Sequence, residues 1–293
     1  MGILQEVYIE QYGDGRFQFE NGGWPDWLLS LKEDQLNAAM ARIIEVAHRI
    51  VSKYFWSEPP KEYSDLFDIL HEYGKLSIFT LNYDVLAERT LKDYNDGFVP
   101  SEPVTDYEVF DPIHALDYPG QDIVNHLHGC VCYNYLPSEL APSKRRLFKY
   151  DKPVGNYSGG FTISSDKRVL FSPIITGIRK QETLMLEPFS CYLSNFIREM
   201  NSNDILVVIG YGFGDYHVNA LIDLYMNSPG KVMVVIGPSP ADYMQDYLTR
   251  GSEECGNCYY RDGISLWFDG GFKDAMADSS FLSLLKKLIG NPE

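Results

Sequence analysis

Two segments of this chain, 205–210 (ILVVIG) and 232–237 (VMVVIG), are apolar at every position until a glycine stops them. A strand with one wet face alternates apolar and polar residues, so a run without alternation has to be covered on both sides. Helical patterns lie around the two runs, at 183–200, 216–226, 241–248 and 279–288. Strand, helix, strand order gives parallel strands joined by right-handed crossovers, which lay the helices over the sheet. The expected fold class is α/β: a Rossmann-like parallel sheet with helices on both faces. Further short apolar runs at 76–80, 123–127, 169–172 and 264–268 read as additional strands.

Ahead of the sheet, Leu36, Met40, Ile43, Ala47, Ile50, Val51 and Tyr54 recur at spacings of three and four, the stripe of a core-packing helix. A second amphipathic piece, 63–71, stops at Gly74. Segments 92–121 and 133–168 break the rhythm, being rich in Pro, Gly, Tyr and charge. Long irregular stretches in compact proteins are commonly lids or binding insertions. They are expected to be insertions forming a small lid region within a single domain over 1–293. The basic cluster Lys144, Arg145, Arg146, Lys149 and Lys152 is expected to be a solvated loop.

Charge narrows the partners. With 41 acidic and 25 basic residues the net charge is −16, so nucleic acid and anionic membrane are repelled on average. A phosphate-bearing ligand has to be held locally by backbone amides. No segment approaches the ~20 apolar residues that span a bilayer, and the N-terminus lacks a signal-peptide pattern, so a cytoplasmic protein is expected. Five cysteines, Cys130, Cys132, Cys191, Cys255 and Cys258, make no disulfide framework and are expected to be reduced thiols.

Ligands of open α/β sheets bind outside the carboxyl ends of the strands, and three such ends carry polar signatures. Leu81-Asn82-Tyr83-Asp84 follows the strand at 76–80, His128-Gly129 follows 123–127, and Tyr211-Gly212-Phe213-Gly214-Asp215 follows Gly210. A glycine-rich turn entering a helix lets amides approach a phosphate or ribose, with Asp215 as N-cap. A hydride-transferring dinucleotide fingerprint is not met, because Asp215 stands where its third glycine belongs and Gly237-Pro238-Ser239 where its acidic residue belongs. Asn82 and Asp84 are spaced to hold two groups of one polar ligand; they also suit a turn and a helix cap. His126, His128, Cys130 and Cys132 could form a metal-binding row and Cys255 with Cys258 one CxxC, but without a matched second pair no metal is expected.

Taken in order, TLNYD at 80–84, LHG at 127–129, and VVIGYGFGDYHVNALI at 207–222 followed by VVIGPSP at 234–240 resemble the sirtuin superfamily. They are most similar to its bacterial defence-associated branch of sirtuin-like NAD hydrolases, with ITGIRKQETL at 175–184 also typical of that branch. The resemblance implies that Asn82 and Asp84 position the nicotinamide ribose and carboxamide and that His128 is the catalytic base or ribose-polarising group. It places Gly210, Gly212, Asp215 and Gly237 on the adenosine side, and counts Thr80, Tyr83 and Phe213 among the cofactor-binding residues. Three family features are altered, the first being that Gly212 stands where a Ser is expected after the third strand's glycine. The glycine phosphate loop has only a poor counterpart at Gly13-Asp14-Gly15, so it is either degenerate or missing from this chain, while Gly23-Trp24-Pro25-Asp26-Trp27 echoes a following element. The four-cysteine zinc module of the family's deacetylases is not matched, which argues against a lysine deacylase.

The activity implied is cleavage of NAD+ to nicotinamide and ADP-ribose, with NAD as substrate, depleting NAD in anti-phage defence. The resemblance also implies a homo-oligomer and, in some systems, a HerA-type ring ATPase as partner. A non-catalytic NAD or ADP-ribose sensor or assembly subunit is the alternative from another class, and a metal-dependent hydrolase on the His and Cys row is a third.

Overall fold

The computed structural model describes residues 26–91, 93–101, 106–135, 147–154, 161–164, 167–170, 174–175, 184–226, 229–238, 249–250, 258–261 and 264–290. The chain opens with α1 (Asp26–Leu29), α2 (Glu33–Tyr54), α3 (Lys61–His71), β1 (Ser77–Thr80) and α4 (Leu86–Thr90). It continues through β2 (Phe98–Pro100), β3 (Tyr107–Phe110), α5 (Pro112–Leu116), β4 (Ile123–His126), β5 (Tyr133–Tyr135) and β6 (Leu147–Tyr150). A hairpin of β7 (Phe161–Ser164) and β8 (Lys167–Leu170) precedes α6 (Phe189–Ser202), β9 (Ile205–Ile209), α7 (Tyr216–Met226) and β10 (Val232–Ile236). The chain closes with β11 (Thr249–Arg250), β12 (Cys258–Arg261), β13 (Ile264–Phe268), α8 (Phe272–Ala277) and α9 (Ser279–Gly290). Two compact units result: Met1–Glu58 with Ile78–Leu193, and Pro59–Ser77 with Ser194–Glu293. No helix among the described residues is long and apolar enough to cross a membrane.

In the second unit the two apolar runs lie side by side as parallel strands, Val232 opposite Ile205 and Ile236 opposite Ile209. The sheet order is β11-β12-β13-β10-β9, with β13 also parallel to β10. Every residue of β10 is buried. Val232, Val234 and Ile236 pack with Leu66 of α3, Ala275 of α8 and Phe281, Leu285 and Ile289 of α9. Met233 and Val235, which alternate to the opposite face, are equally buried, and α7 buries Val218, Ile222 and Tyr225. The expected α/β architecture is present. The sheet is not wholly parallel, however: β12 runs antiparallel to β13 and β11 antiparallel to β12. The helix expected at 241–248 lies outside the described residues.

In the first unit β1 and β4 are neighbours, and the two segments read as irregular insertions contain strands. Those strands pair with one another in a four-stranded antiparallel sheet, β2-β3-β6-β5, so each insertion completes the other. Their aromatics make a core: Phe98 packs on Phe110 and Tyr133, and Tyr107 on Phe148. The Tyr133 and Tyr192 hydroxyls meet at 3.2 Å, and Tyr192 donates to the Asp96 carbonyl at 2.7 Å.

Three local expectations need correction. Helix α2 forms, but its buried face is Leu36, Asn37, Met40, Ile44 and His48, while Ile43, Ile50 and Tyr54 are exposed. The face is rotated because His48 finds a distant partner, its Nε2–H donating to the Val131 carbonyl at 3.0 Å. Helix α6 begins at Phe189 rather than 183; the turn at 185–188 ends in Pro188, whose missing N–H suits only a helix start. Lys149 does not belong to a solvated loop, for it lies on β6 and is paired with the Asp96 carboxylate in the interior. Lys152 alone of the described basic cluster is exposed; Lys144, Arg145 and Arg146 lie outside the described residues.

Breaking a buried ion pair by removing one partner typically costs about 3–5 kcal/mol, whereas an exposed charge is worth within about 0.5 kcal/mol. Asp96→Ala is expected to lower the urea-unfolding stability by the larger amount and Lys152→Ala by no more than the smaller. Equal losses would contradict the buried placement of Lys149.

Candidate functional site

The loop after β1 and the turn after β4 are stitched together by main-chain hydrogen bonds. Leu127 N–H donates to the Thr80 carbonyl and Val131 N–H to that of Tyr83, each at 2.9 Å. The Asn82 N–H turns back to Thr80 Oγ1 at 3.0 Å, and the Tyr83 hydroxyl donates to the Ile175 carbonyl at 3.0 Å. Asp84 Oδ1 accepts the Leu86 N–H at 3.0 Å, an Asx-turn bond just ahead of α4; the N-cap itself is Val85, so Asp84 serves the turn and not the cap. Within this fixed backbone the Asn82 side chain is exposed and Asp84 half-buried. A shallow recess of about 10 Å³, room for about one water, opens beside Asp84, lined by Tyr54, Phe55, Val85, Arg89 and neighbours. Arg89 is engaged there by the Phe55 and Ser57 carbonyls at the end of α2.

His128 sits in the turn after β4, 3% exposed, with its carbonyl accepting the Ile175 N–H at 2.8 Å. The strand ends at His126 and Gly129 adopts φ +86°, so no alternating row of His126, His128, Cys130 and Cys132 forms. Thr80, Asn82, Tyr83, Asp84 and His128 thus gather at the carboxyl ends of two neighbouring strands.

Under this surface lies a pair that sequence reasoning missed. His126 Nε2 donates to Glu88 Oε1 at 2.6 Å, with the two side chains 0% and 5% exposed. Its Nδ1 lies 3.3 Å from the Asn82 carbonyl. Burial works against the imidazolium, but the Glu88 carboxylate outweighs it, helped by Cys130 and the Asn82 carbonyl, and the His126 pKa is pushed up to about 10. For Glu88, burial favours the neutral acid, yet the His126 charge and hydrogen bond, with Lys149 beyond, hold its pKa below the ordinary carboxylate value. Glu88, His126 and Cys130 place three ligand-type atoms within 4.8 Å of one another. A metal there would have to displace the hydrogen bond already joining Glu88 to His126. Glu88 sits six residues beyond Asn82 on a short helix, and nothing local in the sequence marks its partner.

The glycine turn of the second unit joins β9 to α7. Gly210 has φ +61° and its N–H donates to the Ile236 carbonyl at 2.7 Å; Phe213 takes the left-handed conformation at φ +53° despite its side chain. Tyr211 and Asn219 brace the turn, unforeseen from sequence. The Tyr211 hydroxyl donates to Asn219 Oδ1 at 2.7 Å, and Asn219 Nδ2 donates to the Phe213 carbonyl at 2.7 Å. The Asp215 carbonyl accepts the Val218 and Asn219 N–H groups, which places Asp215 at the cap of α7 as expected. Among the described residues a Cβ built on Gly212 or Gly214 would meet no atom within 4 Å, so their packing does not demand glycine at either position. At Gly237 a Cβ would touch Gly210 at 3.6 Å, and the Gly237 carbonyl accepts the Trp267 indole N–H at 2.9 Å. Gly13, Gly15 and Gly23 lie outside the described residues, as do the side chains of Cys255 and Cys258.

A family model described as "SIR2-like domain" matches residues 76–252, more than half of the chain. No curated protein matches. Among solved structures, a Sir2 homologue mutant in complex with ADP ribose is 16% identical with a TM-score of 0.50, the match covering 96% of this chain and 90% of that one. A second Sir2 homologue mutant, in complex with 2'-O-acetyl ADP ribose, is 17% identical with a TM-score of 0.49, covering 88% and 79% respectively. At such identities the first likeness bears on the fold, and it agrees with the sheet and helices described above.

Two outcomes are expected from this geometry. Gly210→Ala forces a Cβ into the left-handed region and should destabilise the protein by about 1–2 kcal/mol, while Gly212→Ala should be nearly neutral in the same denaturant titration. The His126–Glu88 pair sets a pH window. A histidine pKa raised in the folded state contributes stability that is full below its unfolded value of ~6.5 and is lost as pH rises through about 10. The lowered Glu88 pKa contributes above its unfolded value of ~4.3 and is lost as pH falls through the folded value. The melting-temperature gap between wild type and His126→Gln should therefore be widest between about pH 4.3 and 6.5, decline above that and be lost by pH 11; a gap constant with pH would refute the charged pair.

Proposed function

Because the chain belongs to the SIR2-like domain family, we propose that it acts on NAD+, cleaving the glycosidic bond to nicotinamide and leaving ADP-ribose. The observation that supports this best is the convergence of Asn82, Asp84 and His128 at the paired ends of β1 and β4, on a backbone hydrogen-bonded from Thr80 to Val131. In the proposed reaction the bond between ribose C1′ and the pyridinium nitrogen breaks, its electron pair leaving with neutral nicotinamide. Water captures the ribosyl oxocarbenium ion and loses a proton to His128 or to solvent. The exposed Asn82 orients the ribose, and Asp84 meets the carboxamide. The glycine turn with Gly210, Gly212, Phe213 and Asp215, together with Gly237, is assigned to the adenosine side, where a chain at −16 relies on amides rather than basic side chains. Thr80 and Tyr83 act as supports of the Asn82 loop.

No step requires a metal, and none is assigned. Unrestrained NAD+ cleavage would damage the host cell, so the activity is proposed to be gated, by a homo-oligomer and in some settings by a HerA-type ring ATPase, with NAD depletion during phage infection as its use. Native mass measurement with and without such an ATPase tests the assembly; a monomer in both cases counts against gating of this kind.

General acid–base and positioning groups contribute typically ~10²- to 10⁴-fold. His128→Ala and Asn82→Ala are each expected to lower nicotinamide release from NAD+ by at least the lower figure while circular dichroism stays unchanged. Wild-type rates in both variants would sink the assignment. Tight NAD+ binding by the wild type without release would favour the non-catalytic sensor.

A further inference from the structure

His126 offers two ring nitrogens and faces two acceptors, a carboxylate oxygen of Glu88 at 2.6 Å and the main-chain carbonyl of Asn82 at 3.3 Å. Neutral imidazole has one N–H, so serving both acceptors requires the doubly protonated ring. The ring lies inside the protein at 0% exposure, with Tyr133 edge-on at 5.7 Å and the Cys130 thiol nearby, so it cannot touch a ligand. Glu88 Oε2 has no hydrogen-bond partner among the described residues, which leaves the carboxylate dependent on His126. Burying such a pair costs desolvation, and packed apolar side chains would serve a plain core at least as well. What apolar side chains could not do is donate a hydrogen bond to the loop that presents Asn82.

We propose that Glu88 and His126 are positioning residues that clamp the 81–85 loop: His126 holds the Asn82 carbonyl, and Glu88, carried on the helix that ends the loop, fixes the ring's orientation. The clamp ties together β4, the loop and α4, so the exposed Asn82 side chain projects from a backbone secured on both sides. His128 lies two residues beyond His126, so the same contact sets the spacing between the two groups proposed to act on the ribose. The inference rests on the NAD+-cleaving reading for its kinetic consequence and on geometry alone for the clamp.

The test is the full-length double variant Glu88→Leu/His126→Phe, which removes both charges and keeps an apolar filling. A purely structural pair would tolerate it; a clamp would not. Amide hydrogen exchange at 81–85 is expected to rise at least tenfold, with exchange in β9 and β10 unaltered. The kcat for nicotinamide release is expected to fall roughly ten- to a hundredfold per folded molecule, with KM for NAD+ moving less than threefold. Glu88→Gln, whose amide can still bond the ring and leave Nδ1–H for Asn82, should retain most of the rate. If the double variant does not fold, His126→Gln carries the same expectations. Unchanged exchange at 81–85 overturns the clamp, as does wild-type kcat in the double variant or one metal ion per purified chain bound through Glu88 and His126. Should the wild type release no nicotinamide, the functional reading fails and the exchange measurement by itself decides the clamp.

Discussion

The complete burial of β10 is the constraint from which the second unit follows. A five-residue strand with no polar position cannot meet water on either face, so helices α3, α8 and α9 close one side and the opposite face is buried as well. Hydrogen bonding then falls to the ladder, where β9 and β13 pair with it in parallel. Polar chemistry is excluded from the strand itself and displaced to its end, where a Cβ on Gly237 would meet the Gly210 backbone and the chain turns through left-handed backbone into α7. The turn is therefore a product of the core: its tightness comes from strand spacing, and its stiffness from the Tyr211 and Asn219 bonds that brace it.

The first unit solves a different problem, since it carries charge inside. Glu88 with His126 and Lys149 with Asp96 are both interior pairs, and they sit among tyrosines whose hydroxyls are pushed above their ordinary pKa values by burial. The Tyr94 hydroxyl, desolvated beside Lys149 and Asp96, rises to about 12. Asp96, Tyr133 and Lys149 all come from the segments that read as lid-like insertions. These segments are not only covers: paired strand to strand, they supply the aromatic core and the polar network beneath the Asn82 loop. In an acidic protein the interior lysine and imidazolium are placed where each neutralises one specific carboxylate.

Legibility followed distance along the chain. Asp84 reads as a turn residue because its partner, Leu86, is two residues away, and Asp215 reads as the cap of α7 because the partners of its carbonyl lie in the next turn. His48 and Val131 are 83 residues apart, Lys149 and Asp96 are 53 apart, and His126 and Glu88 are 38 apart. None of these pairs leaves a periodic or local trace. The same gap explains the rotated face of α2: an amphipathic stripe marks which residues are apolar, whereas the buried face is chosen by whatever the helix meets, here a carbonyl that accepts from His48. The strands of the insertions were hidden because each is only three or four residues long and the sheet is completed where β3 meets β6, far along the chain.

By itself the sequence determined the α/β class, the strands at 205–209, 232–236 and 264–268, and the strand ends where Asn82, Asp84, His128 and the glycine turn lie. Hydrophobic periodicity and turn chemistry act over a few residues, so they are written in consecutive letters. Only the tertiary structure decided that the two insertions complete one sheet, that Lys149 is interior, and that His126 faces Glu88 and the Asn82 carbonyl instead of joining a row with His128. Those outcomes depend on which distant groups meet once the apolar strands are buried, and a buried polar group takes the partner that the packed chain brings within reach.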